Sequence, residues 1–189
     1  MGKFLTGRAR LEQTDIRRIW KLLDNEIFKA DDGSLYLTPR NFPSDCYTVP
    51  LYLCWLVGSP VDFDVRCSIL HDELCYFHKA LKINLNEKEL RDNGFLRYSE
   101  KNKMWVCEDI PAEFLRTEKI GKIKANNVFY ECMRACNIPL VYRVLLRLGV
   151  GLNLRWYLNS LFNLNFKFDF EKLYDEIYWE KIANEKYGN

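Results

Sequence analysis

The residues best suited to chemistry lie close together in the segment SILHDELCYFHKA, residues 68–80. His71 and Asp72 are adjacent there, and Tyr76 follows Asp72 by four residues. A histidine beside a carboxylate is suited to general-base catalysis or to metal binding. The segment is therefore the first place to look for a functional site.

Four potential zinc ligands are spaced along this region: Cys67, His71, Cys75 and His78. Residues three or four apart share one face of a helix, so the four would form a single stripe. At about 1.5 Å per residue the stripe is roughly 16 Å long, whereas zinc bonds measure only about 2.0–2.3 Å. One ion could take at most His71 and one neighbour. The pattern favours a mostly buried face with small thiols and one or two hydrogen-bonded histidines.

The polar residues of this helix need partners if they are buried. Asp72 and Tyr76 are four residues apart, so the tyrosine hydroxyl could donate to the carboxylate. His71 would need an acceptor for a ring nitrogen, and a second helix could supply it. Such a network serves equally well as a general-base pair or as a structural element, and the residue types leave both readings open.

Two further motifs flank the helix: NFPSDCYTVPLYLCWL before it and KIKANNVFYECMRACNIPLVYRVLLRLGVGL after it. Taken in this order, these two motifs and the His-Asp segment between them resemble a phage and bacterial family known as domain of unknown function 1353, over roughly residues 35–155. The matching positions are Asp45, Thr48, Val49, Pro50, His71, Asp72, Tyr76, Ala125 and Phe129. Asn126 stands where that family has a second aspartate. The resemblance implies a phage-encoded protein in which the His71 helix packs against the Asn126 helix.

The His-Asp…Tyr helix also resembles that of type-two phospholipases A. That resemblance implies a hydrolase in which His71 is the general base, Asn126 orients it, Tyr76 belongs to the catalytic set and Asp72 binds calcium. Asp45, with Asp62 or Asp64, could supply further oxygen ligands. The chain departs from those enzymes in lacking their glycine-rich calcium loop and in placing an amide at position 126.

Composition restricts the function classes. The chain has 189 residues, of which 48% are hydrophobic, and a net charge of +2, so it should bury a core and has no overall attraction to nucleic acid. Its seven cysteines are an odd number, mostly within apolar runs, which indicates reduced core thiols. No signal peptide and no apolar run of spanning length are expected. The cationic apolar segment 138–162 could instead lie on a membrane surface.

The spacing of apolar residues predicts a mainly α (α+β) fold. Helices are expected over residues 16–27 after an N-cap at Thr14, from Val65 to about Leu81, over about 122–137, after Pro139 and at the C-terminal end. Small β elements are expected near residues 35–50 and 95–107, the latter as two strands joined by a turn at 99–103. The chain is read as one domain, 1–189, with a family-like core at 35–155 and helical appendages at 1–34 and 156–189.

These observations lead to two main functional expectations. The first is a phage virion or assembly protein that binds other phage or host proteins, with a structural His71–Asp72 cluster and no cofactor. The second is a calcium-assisted hydrolase. An inhibitor of a host factor is a third possibility. The expected location is the host cytoplasm or the virion, and the sequence predicts no oligomeric state.

Overall fold

A computed structural model describes residues 1–14, 20–44 and 64–151, without the side chains of Tyr76 and residues 149–151. These residues contain ten strands: β1 (Lys3–Phe4), β2 (Leu11–Gln13), β3 (Trp20–Leu22), β4 (Glu26–Lys29), β5 (Leu35–Thr38), β6 (Pro43–Ser44), β7 (Lys79–Ile83), β8 (Leu96–Ser99), β9 (Met104–Cys107) and β10 (Leu115–Lys119). They also contain four α-helices: α1 (Arg66–Phe77), α2 (Glu87–Asp92), α3 (Lys122–Ala135) and α4 (Leu140–Gly151).

The strands form three antiparallel sheets. The largest has five strands in the order β1-β4-β5-β7-β10. The second has the order β2-β3-β6, and the third is the β8-β9 hairpin. In the largest sheet the register pairs Ile27 with Leu37 and Tyr36 with Lys82, which fixes which side chains share a face.

The five-stranded sheet separates two apolar clusters. Phe28 and Tyr36 point into one cluster, whereas Ile27, Leu35 and Leu37 belong to the other. Successive strand residues point to opposite faces, so both faces of the sheet are covered by apolar packing. This arrangement explains why all four residues of β5 are buried.

The helices α1 and α3 pack on each other over the first cluster. Leu74 of α1 and Phe129 of α3 are nearly inaccessible to solvent there. α1 ends at Phe77, and the next residue, His78, has a left-handed φ of 50° before the chain enters β7. α3 ends in a turn where Asn137 has a φ of 57° and Ile138 N donates to Met133 O at 3.0 Å. That turn and Pro139 lead into α4. Packing of α1 on α3 and the short turn between α3 and α4 therefore hold these three helices together.

The predicted mainly helical fold is wrong: strand accounts for 30% of the structure and helix for 35%. The largest error lies between residues 20 and 29, which were expected to complete a helix but form β3 and β4. Their strands are only three and four residues long, and both Ile27 and Phe28 are buried because both faces of the sheet are covered. The segment therefore lacks the alternation of apolar and polar residues that predicts a strand. Its apolar residues happen to be spaced as they are on a helix, which accounts for the wrong prediction.

The expected helical appendage at 1–34 is also wrong in the described part, because β1 and β4 lie within the five-stranded sheet. The expected β element near 35–50 contains β5 and β6, and its residues 45–50 lie outside the description. The helix expected to reach Leu81 gives way to β7. The helical appendage expected at 156–189 lies outside the described residues and, like the single-domain reading, stays a prediction.

Other local predictions are confirmed. The strands expected near 95–107 are β8 and β9, joined by residues 100–103. A helix was expected over about 122–137, where α3 lies, and another after Pro139, where α4 begins.

Candidate functional site

The packing of α1 on α3 brings His71 to Asn126. His71 Nε2 lies 3.1 Å from Asn126 Oδ1, and Asn126 is only 9% exposed. The imidazole also packs against Phe129, one turn further along α3, with ring centroids 4.5 Å apart. The partner expected for His71 from a second helix is therefore present, although its role in catalysis stays a prediction.

Cys75 is the third member of this cluster. Its Sγ lies 3.2 Å from the same Nε2 atom, one helical turn along α1 from His71. One ring nitrogen thus contacts both an amide and a thiol, so general-base chemistry would have to use Nδ1. The sequence placed Cys75 on the same stripe as His71 and favoured it as a small thiol of a mostly buried face, with zinc binding as the alternative.

The environment holds this cluster in its neutral form. Burial lowers the pKa of His71, the contact with Asn126 acts in the opposite direction, and the charge of Lys122 lowers the pKa further. Burial raises the pKa of Cys75 to about 11, and the charge of Asp72 adds to the effect. A thiol with a raised pKa is a poor nucleophile, and an amide cannot stabilise an imidazolium as a carboxylate does. The Cys-His-Asn grouping therefore favours a hydrogen-bonded structural role.

Asp72 contacts a different part of the molecule. Ser44, a buried residue of β6, donates its hydroxyl to Asp72 Oδ2 at 2.7 Å. Adjacent residues on a helix are about 100° apart, which accounts for the different neighbours of His71 and Asp72. The side chain of Tyr76 and all of Asp45 lie outside the description, so the pairings predicted for them stay predictions.

The described residues do not assemble a calcium site. Within residues 1–14, 20–44 and 64–151, no group of three or more His, Cys, Asp and Glu side chains is arranged to hold a metal ion. The carboxylate of Asp72 accepts a hydrogen bond from the Ser44 hydroxyl. These residues do not fit the donor set that calcium requires, which is six to eight oxygens.

Two buried carboxyl groups lie near the candidate site and were missed by sequence reasoning. Glu73 of α1 accepts a hydrogen bond from the Thr38 hydroxyl at 2.6 Å, and Glu26 of β4 accepts one from Thr6. Burial raises the pKa of each glutamate to about 8, so each carries a proton at neutral pH. No signal in the sequence separates these glutamates from exposed ones, because the threonine partners are 35 and 20 residues away.

A polar cavity of about 230 Å³ is lined by the β8-β9 hairpin and by the segments around Arg10, Asp24 and Arg40. Its lining includes three ion pairs: Arg10–Asp24, Arg40–Asp109 and Arg97–Glu108. The three positive and three negative charges balance, so the lining does not select for an anion or a cation.

The most unusual surface lies on α3 and α4. Five apolar side chains are exposed there: Ile123, Leu140, Val141, Val144 and Leu148. The four on α4 are between 43% and 66% exposed, and their spacing places them within about 100° of arc. We call these five residues, together with Arg143 and Arg147, the α3–α4 face.

The two arginines of the α3–α4 face are held against Tyr130. Their guanidinium carbons lie 5.3 Å and 5.2 Å from the Tyr130 ring centroid, and Arg147 also donates to Asn127 Oδ1 at 2.8 Å. Neither arginine forms an ion pair with a carboxylate in the part of the chain that the structure describes. The face therefore combines exposed apolar area with positive charge that is not neutralised by those residues.

The described helices include none that is long and apolar enough to cross a membrane. Comparisons of the chain with family models, with curated proteins and with solved structures found no match.

Proposed function

We propose that the protein is a non-catalytic interaction protein that docks an acidic partner protein through the α3–α4 face. The observation that carries the proposal is the stripe of exposed apolar residues on α4, which is 12 residues long. Single exposed apolar residues are common on proteins, but contiguous ones mark interaction sites. The resemblance to the phage family suggests a virion or assembly component, with phage or host proteins as partners and the host cytoplasm or the virion as location.

The charge of the face supports an acidic protein partner. Arg143 and Arg147 lie beside Val144 and Leu148, so a partner that covers the stripe would bring its rim to the two guanidinium groups. Arginine is enriched at protein interfaces because its planar group binds carboxylates in a fixed geometry. Stacking on Tyr130 restricts the guanidinium groups before binding and lowers the entropy cost of docking.

The state of the His71 cluster also supports a non-catalytic role. His71 Nε2 contacts both Asn126 and Cys75, and burial favours the uncharged forms of His71 and Cys75. A hydrogen-bonded cluster of this kind stabilises the packing of α1 on α3, and α3 in turn supports α4.

Photo-crosslinking tests the docking proposal. A benzophenone amino acid is placed at Val141, or at Tyr98 as the control, because Tyr98 is also exposed but lies on β8. We expect the Val141 probe to give a discrete protein adduct whose crosslinked peptide is acidic, and the Tyr98 probe to give none. Crosslinks only to a second copy of the chain, or binding only to vesicles with anionic lipid, would contradict an acidic protein partner.

A second candidate is the calcium-assisted hydrolase, and one observation favours it. His71 is not fully buried and has an orienting partner at 3.1 Å, as a general base requires. Asn126→Asp would restore the carboxylate, and a hydrolase should then gain activity on phospholipid or simple esters when calcium is present. Absence of turnover in both the wild-type protein and Asn126→Asp would remove this candidate.

A further inference from the structure

Two thiols from different helices meet where α1 begins and α3 ends. The Sγ atoms of Cys67 and Cys136 lie 3.4 Å apart. A disulfide bond is about 2.05 Å long, so the sulfur atoms need to approach by only about 1.4 Å. The helices that carry them already pack together.

The two thiols differ in their access to solvent. Cys67 is completely buried, whereas Cys136 is half-buried at the end of α3. Asp64 accepts a hydrogen bond from the Cys136 thiol, and the charge of Arg66 is also close to it. A small oxidant would therefore meet Cys136 before Cys67.

We propose that Cys136 and Cys67 form a reversible oxidation site for small hydroperoxides, with Cys136 as the reacting thiol and Cys67 as the resolving one. The Cys136 sulfur attacks a peroxide oxygen and the O–O bond breaks. With hydrogen peroxide as the oxidant, the products are one water and a sulfenic acid at Cys136. The Cys67 sulfur, which already lies against Cys136, then attacks the sulfenic sulfur, the S–O bond breaks, and the hydroxyl leaves with the Cys67 proton as a second water. The hydrogen bond to Cys136 and burial raise the pKa of Cys67, so this second step should be the slow one. The two thiols lose two electrons in total, and the peroxide gains them.

The crosslink would join the start of α1 to the turn that leads into α4. That turn contains the left-handed Asn137 and the hydrogen bond from Ile138 N to Met133 O. The disulfide would close a loop of 69 residues, and a loop of that size should raise Tm by about 10 °C when the bond forms without strain. Oxidation would thus stabilise the packing between α1 and α3.

The inference does not depend on the docking proposal. A neighbouring thiol offers an alternative product, because Cys132 is fully buried one turn before Cys136 on α3. Cys132 supplies the matched control, since Cys132→Ala retains both thiols of the proposed pair.

The experiment is disulfide mapping of the full chain. The reduced protein is treated with hydrogen peroxide, the remaining thiols are alkylated, and peptides are analysed by mass spectrometry without reduction. We expect one main crosslink, between Cys67 and Cys136, that dithiothreitol reverses and that raises Tm. It should persist in Cys132→Ala and be lost in Cys67→Ser and Cys136→Ser.

Three outcomes would overturn the inference. They are full alkylation of Cys67 and Cys136 after peroxide treatment, a main crosslink that joins either of them to a different cysteine, and a crosslink that dithiothreitol does not reverse. If a serine variant fails to fold, the map of the wild-type protein still decides, because it locates the bond directly.

Discussion

Glu73 offers the sharpest test of how the core is built. Its carboxyl group is 1% exposed on α1 and accepts a hydrogen bond from Thr38 on β5. Burial raises its pKa from 4.5 to about 8, so the folded protein keeps a proton that the unfolded chain releases above pH 4.5. Glu73→Gln removes this titration and retains an oxygen that accepts from Thr38.

The sign and size of the effect follow from proton linkage. Between pH 4.5 and 8 the native state binds more protons at position 73 than the unfolded state, so stability falls as pH rises. At pH 7 the pH lies 2.5 units above the ordinary glutamate pKa of 4.5. At 1.36 kcal/mol per unit, keeping Glu73 protonated in the folded protein lowers the free energy of unfolding by about 3 kcal/mol. Most of this cost develops above pH 5. The advantage of Glu73→Gln over the wild-type protein should therefore grow by about 2 to 3 kcal/mol between pH 5 and pH 7.

Urea unfolding at pH 5, 6, 7 and 8 measures the effect. Glu113→Gln is the control because Glu113 is exposed, and it should follow the wild-type protein at every pH. Glu26→Gln should show a similar gain, because burial raises the pKa of Glu26 to about 8 as well. If the free energies of Glu73→Gln and of the wild-type protein keep a constant difference across this pH range, Glu73 is not protonated in the folded state and the reasoning fails.

Three other predictions concern the helices. Asn126→Asp should raise the pKa of His71, seen in an NMR titration, because a carboxylate favours imidazolium; an unchanged pKa would mean that the two side chains do not meet in solution. Leu74→Ala should lower the free energy of unfolding by about 2 to 5 kcal/mol in urea, because Leu74 is 1% exposed, and a loss under 1 kcal/mol would contradict its core position. Val144→Asp should change that free energy by no more than about 0.5 kcal/mol, because Val144 is exposed, and a large loss would mean that the stripe is covered.

The sequence predicted those parts of the molecule that are set by local patterns. The helix that carries His71 and the helix that carries Asn126 have apolar spacing near 3.6 residues, and the resemblance suggested that they face each other. The β8-β9 hairpin has a polar turn between two short apolar runs. In each case a few neighbouring residues contain the signal.

The sequence failed where distant residues decide the structure. β4 is a strand because it pairs with β1 and β5, and its own four residues do not alternate. Glu73 is buried because Thr38 lies opposite it on a strand 35 residues away. The exposure of Val144 is equally invisible in the sequence, since an amphipathic helix does not reveal what its apolar residues contact.

The measurement that tests the central claim most directly is the crosslinking yield from the Val141 probe with and without Val144→Asp. The claim is that the α3–α4 face docks an acidic protein. It predicts that the substitution removes the adduct, because a buried carboxylate would face an apolar and acidic partner surface, while the free energy of unfolding stays the same. An equal yield from both proteins, at equal stability, would contradict the claim.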